Sequence, residues 1–314
     1  KSTLLTVLNL ALLSKPKTNP RLKGEIPLSV DIDFGKTSFG FKETIRDLVD
    51  DSKKHLFLLH EFSTKTSSAV NPHDLTLGRR IVNERHKEIL TRFMLVLIAG
   101  VEKEKDGGFK IKHVELESMI KYLIDSVYKY RFEENDPHLF DPAEFRHEGT
   151  MAYLEKIGIK PNKHHSYYFL ADEVMKKDPK KGKNHAILLQ RYGVPRLTDY
   201  SQLINDNPEL CSRFEKGFVS GNKSPKDFFL ERLGDVMSEF PCFTRVTAIN
   251  FDMARMISLD IKTVCGESDY RKAVFGSLCL MMYQVKRDNA EESDDYFEGV
   301  APQYQSYLKR QDLV

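Results

Sequence analysis

The sequence predicts a mainly α-helical protein that has a two-lobed helical core, a small N-terminal β-hairpin and terminal arms. Several long segments carry apolar residues at the three-to-four-residue spacing of an amphipathic helix. One short segment near the N-terminus instead alternates apolar and polar residues, as half-buried strands do. In a chain of 314 residues, 40% hydrophobic and 30% charged residues suffice for a sizeable folded core.

The predicted organisation has four parts. Residues 1–27 form an N-terminal arm and linker, 28–183 an N-terminal lobe, 184–287 a C-terminal helical lobe, and 288–314 an acidic C-terminal arm. Exposed apolar ends are typical of segments that bind a neighbouring protein. We therefore assign oligomerisation to residues of the two arms: Leu4, Leu5, Val7, Leu8, Tyr304, Tyr307 and Leu308. A terminal helix docked on the chain's own core explains the N-terminal arm equally well.

The hairpin prediction comes from the alternating segment. Leu28–Phe34 alternates, and Phe39–Phe41 continues the period after a Gly35-Lys36 turn. The apolar run His55–Phe62 is too short for periodicity to distinguish a strand from a helix.

Helical patterns cover most of the remaining chain. Asp74 is predicted to cap a long helix that ends near Gly100, and a second clear helix covers Val114–Phe132. Ser268 is predicted to cap a last strong helix through Val285. The other helical patterns are Ala143–Ile157, Tyr167–Met175, Ala186–Arg191, Leu197–Ile204, Pro208–Phe218, Pro225–Met237 and Phe243–Val264.

Basic residues are unevenly distributed, although the formal net charge is only +2. At about 100° per residue, five residues of the first long helix share one face. These are Arg79, Arg80, Asn83, His86 and Lys87. Such a face suits a sugar-phosphate backbone, because arginine binds phosphate bidentately. A solvated charged face is the more common reason for this pattern.

A second set of candidate RNA-binding residues follows a basic loop. Its members are Lys176, Lys177, Lys180, Lys181, Lys183, Arg191, Tyr192 and Arg196. The lysines are expected to close over bound RNA, and the tyrosine is expected to stack on bases. With the helix face, they would line one trough for an unpaired strand.

The sequence also contains weaker signals for chemistry. Cys265 and Arg271 match the spacing of a cysteine-phosphatase loop, but Glu267 and Asp269 between them would repel phosphate. His113 and Glu117 are four residues apart, as on one helix face. Asp31-Ile-Asp33 is a weak acidic motif, and no Gly-rich nucleotide loop occurs. We assign no catalytic residue, no metal site and no cofactor.

Five short motifs, in the same order, resemble tospovirus-type bunyavirus nucleoproteins, and one of them is also loosely similar to emaravirus nucleoproteins. The motifs are Asp33-Phe-Gly-Lys36, Asp74-Leu-Thr-Leu-Gly-Arg79-Arg80-Ile81, Tyr192-Gly-Val-Pro195, Phe240-Pro-Cys-Phe243 and Asp269-Tyr-Arg271-Lys-Ala273. The resemblance implies an RNA groove between two helical lobes, and it carries RNA contact over to Arg79 and Arg80 alone. The spacing between Arg80 and Tyr192 is longer here than in that family.

The resulting hypothesis is a nucleoprotein that oligomerises and encapsidates single-stranded RNA independently of its sequence. Its expected partners are RNA, further copies of the chain and the viral polymerase that a nucleocapsid needs. Four cysteines without a CxxC pair indicate a reducing, intracellular setting, here host cytoplasm or a virion ribonucleoprotein. No apolar run reaches the ~18 residues of a membrane span. A helical hydrolase or phosphodiesterase like those of bacterial effectors, and a protein-interaction scaffold, remain the alternatives.

Overall fold

The computed structural model describes residues 28–35, 37–132, 135–219, 222–249, 251, 254–290, 300 and 304. These residues form a mainly α-helical fold with two small β-sheets, so the predicted fold class is confirmed. The predicted N-terminal arm, with Leu4, Leu5, Val7 and Leu8, lies outside the described residues, as do Tyr307 and Leu308. Within the described part of the chain, no helix is both long and apolar enough to cross a bilayer.

The helices are α1 (Thr37–Leu48), α2 (Glu84–Ala99), α3 (Glu117–Tyr130), α4 (Glu148–Lys156), α5 (Tyr167–Lys177), α6 (Lys183–Gly193), α7 (Leu197–Asp206), α8 (Pro208–Phe214), α9 (Pro225–Glu239), α10 (Lys262–Cys265) and α11 (Asp269–Ala290). The strands are β1 (Ser29–Asp33), β2 (Phe57–Glu61), β3 (Val101–Lys103), β4 (Phe109–Ile111) and β5 (Met256–Asp260).

Three strands form a parallel sheet in the order β1–β5–β2, with β5 in the centre. Helix α1 connects β1 to β2 and packs against the sheet. Ile257 and Leu259 of β5 point into the main hydrophobic core, whereas the hydroxyl of Ser258 contacts Ser38 of α1. This alternation leaves a polar layer between α1 and the sheet.

The predicted hairpin is wrong beyond its first strand. Phe39 and Phe41 lie in α1, not in a second strand. Gly35 turns the chain with a φ of +131°, a value that strongly favours glycine. The carboxylate of Asp33 then accepts a hydrogen bond from the backbone N–H of Ser38 at 2.7 Å, which satisfies a free donor of the first helical turn.

The predicted helix Phe243–Val264 is also wrong. Its second half contains β5, all five residues of which are buried. Periodicity alone does not distinguish a short strand that is buried on both faces from part of a buried helix. The run His55–Phe62, which periodicity leaves unassigned, contains β2.

The first long helix begins later than predicted. Asn83 is its N-cap, and the side-chain oxygen of Asn83 accepts from the backbone N–H of His86 at 2.8 Å. Gly78 has a φ of +86°, which is incompatible with a helix through that position. Arg79 and Arg80 therefore precede α2 and do not share a helical face with Lys87.

Within the described ranges, two hydrophobic clusters make up the core. The main cluster combines the parallel sheet with α2, α3, α7, α9 and α11. The smaller cluster centres on the α5–α6 hairpin and includes Leu77, Val300 and Tyr304. The clusters do not follow the predicted lobe boundary between residues 183 and 184, because α5 and α6 pack in the same cluster.

The Ser268 cap agrees with the prediction, since its hydroxyl accepts from the N–H of Arg271 at 3.3 Å.

Candidate functional site at the carboxyl edge of the parallel sheet

All three parallel strands end in an acidic residue. Asp33 pairs in register with Asp260, and Glu61 pairs with Asp260 from the other side. Parallel strands point their carboxyl ends to the same edge, so the three carboxylates lie in a row. Because neighbouring strands are about 4.8 Å apart, the two outer positions are separated by roughly 10 Å.

Short hydrogen bonds hold this edge in place. Oδ1 of Asp260 accepts from the backbone N–H of Gly35 at 3.0 Å and from that of Lys262 at 2.9 Å. The hydroxyl of Thr263 donates to Oε1 of Glu61 at 2.8 Å. These bonds connect the loop after β1, the end of β2 and the start of α10. The polar groups at the edge are therefore preorganised by backbone and side-chain contacts.

A cavity of about 450 Å³ opens at this edge. We call it the sheet-edge site; it is lined by Phe34, Gly35, Glu61, Asp260, Lys262, Thr263, Gly266 and Glu267. Its volume lies in the range of small-molecule sites. The carboxylates of Glu61, Asp260 and Glu267, against the single ammonium group of Lys262, make the lining acidic. Phe34, beside them, is 54% exposed.

A layer of buried polar groups lies between α1 and the sheet, next to the site. Lys42 of α1 is fully buried, and its ammonium group lies 2.7 Å from a carboxylate oxygen of Asp31. The same ammonium group donates to the carbonyl of Ile257 in the central strand. Burial lowers the pKa of Lys42, and the carboxylate of Asp31 opposes that shift. This ion pair ties β1 and β5 to α1 directly behind the carboxyl edge.

Among the described residues, no group of three or more His, Cys, Asp or Glu side chains is arranged to hold a metal ion alone. The row of carboxylates is too widely spaced for that. Magnesium, however, commonly binds through one or two carboxylates together with the phosphates of a ligand. The sheet-edge site offers carboxylates of this kind at Glu61 and Asp260.

The predicted RNA-binding helix face is not present as such. Arg79 and Arg80 are only 4% and 8% exposed. A guanidinium nitrogen of Arg80 lies 2.6 Å from Oδ1 of Asp172, and its guanidinium group stacks over the ring of Tyr168. Asn83 caps α2, and burial together with the charge of Arg79 lowers the pKa of His86 to about 4.

Most of the other predicted RNA-binding side chains have internal partners. Lys87 pairs with Asp125, and Arg196 lies 2.6 Å from Glu144. Arg191 and Tyr192 are buried, and the Tyr192 hydroxyl lies 3.1 Å from Nε2 of His147. These positions leave Tyr192 unavailable for base stacking.

The lysine-rich turn between α5 and α6 differs from the buried arginines. Lys176, Lys177, Lys180 and Lys181 are exposed, and Lys183 is half-buried. Lys176 pairs with Glu173 at 2.9 Å, and Lys177 donates to two backbone carbonyls. The structure thus places the predicted RNA-binding residues in two different settings. The arginines are paired inside the protein, whereas most lysines of this turn are exposed to solvent.

The alternative catalytic residues also have structural roles. Cys265 is buried, and burial raises the pKa of its thiol to about 11, while Arg271 pairs with Glu239 at 3.0 Å. His113 precedes α3 in a left-handed conformation and lies 3.3 Å from Glu115. Glu117 pairs with Lys121 instead. Neither arrangement presents an activated nucleophile or base.

Nothing matched this chain in comparisons with protein-family models, with curated proteins or with solved structures. The resemblance to bunyavirus nucleoproteins therefore stays a prediction from short motifs.

The sequence contained one signal for the sheet-edge site. Asp31-Ile-Asp33 lies on β1, and Asp33 ends that strand. Glu61 and Asp260 gave no recognisable sequence pattern, because they lie about 200 residues apart in the chain. They become neighbours only when β2 and β5 pair in the sheet.

Proposed function

We propose that the chain binds a nucleotide at the sheet-edge site, together with a magnesium ion held between its carboxylates and the nucleotide's phosphates. The observation that carries the proposal is an open cavity lined by two acidic strand ends, Glu61 and Asp260, together with Glu267. Open parallel sheets commonly bind their ligands outside the carboxyl ends of the strands. The cavity here lies in that position.

The side chains of the site suit the parts of such a ligand. Phe34 offers an exposed ring for a base, since stacking on an aromatic side chain tolerates any base. Lys262 offers an ammonium group for phosphate. The carboxylates would repel phosphate unless a divalent cation lies between them. Binding is therefore expected to require magnesium.

Titration with a fluorescent nucleoside triphosphate tests this proposal. We expect saturable binding in the presence of magnesium and loss of binding when EDTA removes it. Glu61→Gln is expected to weaken binding by about tenfold, the range for losing one charge-assisted ligand contact. Glu88→Gln is the matched control, because Glu88 is exposed on α2, away from the cavity. Equal affinity of both variants, or binding that EDTA leaves unchanged, would contradict the proposal.

Single-stranded RNA binding is a second candidate, favoured by the exposed lysines of the α5–α6 turn. Lysine ammonium groups there can neutralise backbone phosphates without reading sequence. Fluorescence anisotropy with a labelled oligoribonucleotide would test it. A variant with Lys176, Lys177, Lys180 and Lys181 all changed to Ala should then bind much more weakly and lose most of the salt dependence. Unchanged affinity of that variant would remove this candidate.

A further inference from the structure

Val300 and Tyr304 contact the segment that contains the two predicted RNA-binding arginines. Val300 pairs with Arg79 in an isolated antiparallel bridge, and the side chain of Tyr304 is fully buried. The hydroxyl of Tyr304 donates to Oδ1 of Asp172. That oxygen also accepts the hydrogen bond from Arg80. Two sequence-distant regions thus meet at one carboxylate.

The ring of Tyr304 occupies a slot between Gly78 and the polar side chains of Arg80, Asp172 and Gln190. A Cβ atom at this position would lie 2.6 Å from Cγ of Tyr304, closer than side chains tolerate. The N–H of Gly78 donates to Oε1 of Gln190 at 2.7 Å, which fixes the backbone against α6. The slot is therefore formed by the absence of a side chain at residue 78.

The floor of the slot is polar, unlike the main core. Arg80, Asp172 and Gln190 contact one another or the tyrosine, whereas the main cluster is formed by apolar side chains. Water can hydrogen-bond to charged and amide groups that become exposed. Exposing this slot to water consequently costs less free energy per unit of exposed surface than exposing the main core.

We propose that Val300 and Tyr304 form a releasable C-terminal latch. When closed, the latch joins the loop before α2 to the α5–α6 hairpin through Asp172 and Gly78. When open, it loosens the hairpin and the lysine-rich turn, while the parallel sheet and the main core stay folded. The smaller cluster contains both the latch and the hairpin, which explains why the effect is confined to them.

Hydrogen exchange on the full chain tests the latch with two matched glycine variants. Gly78→Ala places a methyl group against the tyrosine ring, whereas the methyl group of Gly107→Ala meets no atom of the described residues within 4 Å. The two positions have nearly the same backbone strain, with φ of +86° and +87°. We expect Gly78→Ala to accelerate exchange in α5 and α6 about tenfold relative to β5 and α11, as a local opening does. Gly107→Ala should leave α5 and α6 unchanged.

Tyr304→Phe provides a milder second variant, since it removes only the hydroxyl bond to Asp172. It should accelerate exchange in the same two helices, by a smaller factor than Gly78→Ala. The proposal is overturned if Gly78→Ala and Gly107→Ala have the same exchange pattern. Uniform acceleration of β5, α11 and the hairpin would overturn it as well, because the latch would then belong to a single cooperative unit.

Discussion

The sheet-edge site and the arginine segment (Gly78, Arg79 and Arg80) both gather charged residues, but they use them differently. Arg80 is 8% exposed and is neutralised by Asp172 inside the smaller cluster. At the sheet edge, the carboxylates of Glu61, Asp260 and Glu267 border an open cavity of about 450 Å³. A charge pattern identifies where charge occurs, whereas the partners around that charge and an adjoining cavity determine whether a ligand can reach it.

The difference follows from local backbone geometry. At the arginine segment, Gly78 and the cap at Asn83 turn the chain inward, so the guanidinium groups pack against α5 and α6. At the sheet edge, the strands end together and the chain leaves through short loops. At those ends Glu61 is exposed and Asp33 is half-buried, whereas Asp260 is buried and lines the cavity.

The largest expected effect concerns the buried ion pair of the arginine segment. Arg80→Gln leaves Asp172 without its cation, and breaking a buried pair in this way costs about 3 kcal/mol of unfolding free energy. Urea denaturation measures the change. Arg92→Gln is the control, because Arg92 is exposed on α2, and it should change stability by less than about 0.5 kcal/mol. A similar small change for Arg80→Gln would mean that the pair is solvated.

The pH dependence of stability should reflect two histidines on either side of the arginine segment. Burial lowers the pKa of His73 to about 3 and that of His86 to about 4. Since these folded-state values lie below the ordinary value, stability is full above about pH 6.5 and is lost as the pH falls toward 4, by up to ~2 kcal/mol per histidine near pH 5.

Proton NMR titration of the histidine rings checks this pH dependence directly. His73 and His86 should keep the chemical shifts of neutral rings down to pH 5. Protonation of the His86 ring between pH 7 and pH 6 would show that the region around the arginine segment is open to water.

A smaller effect is expected at the loop of the sheet-edge site. Gly35→Ala forces a residue with a side chain into a φ of +131°, at a cost of roughly 1–2 kcal/mol in stability. Among the described residues, the added Cβ meets the side chain of Lys262, at the ordinary contact distance of 4.0 Å, so the expected cost comes from backbone strain. Thermal or urea unfolding measures it. A neutral or stabilising substitution would show that the loop adopts another conformation in solution.

The smallest effect is expected at the lysine-rich turn. Lys180 and Lys181 are exposed, so changing both to Ala should alter unfolding free energy by less than about 0.5 kcal/mol. The same urea series measures this variant. A loss comparable to that of Arg80→Gln would place the turn among the structural contacts of the smaller cluster.

Long amphipathic helices could be predicted from the sequence because their own periodicity specifies them. Helix α3 falls inside the predicted range Val114–Phe132, and its apolar stripe is buried. Ser268 and Pro225 mark helix starts through local chemistry that needs no tertiary context. The central strand could not be predicted in this way, since β5 is short and wholly buried and its two neighbours lie far away in the sequence.

The candidate site was harder to predict than the fold. Arg79 and Arg80 gave a strong local signal, but Gly78 and Tyr304 together place them inside the protein. Glu61 and Asp260 gave no local signal, because their proximity depends on strand order. Polar residues at strand ends become a site only after the fold aligns them.

The most direct test of the comparison is nucleotide affinity measured on two variants under identical, fully folded conditions. Asp260→Asn preserves the acceptor for Gly35 and Lys262 while removing the charge at the sheet-edge site. Arg80→Gln changes the arginine segment instead. We expect Asp260→Asn to weaken magnesium-dependent binding by about tenfold with little change in stability. Arg80→Gln should lower stability and change affinity less than about twofold. Weaker binding by Arg80→Gln, with unchanged binding by Asp260→Asn, would mean that the nucleotide binds near the arginine segment and not at the sheet edge.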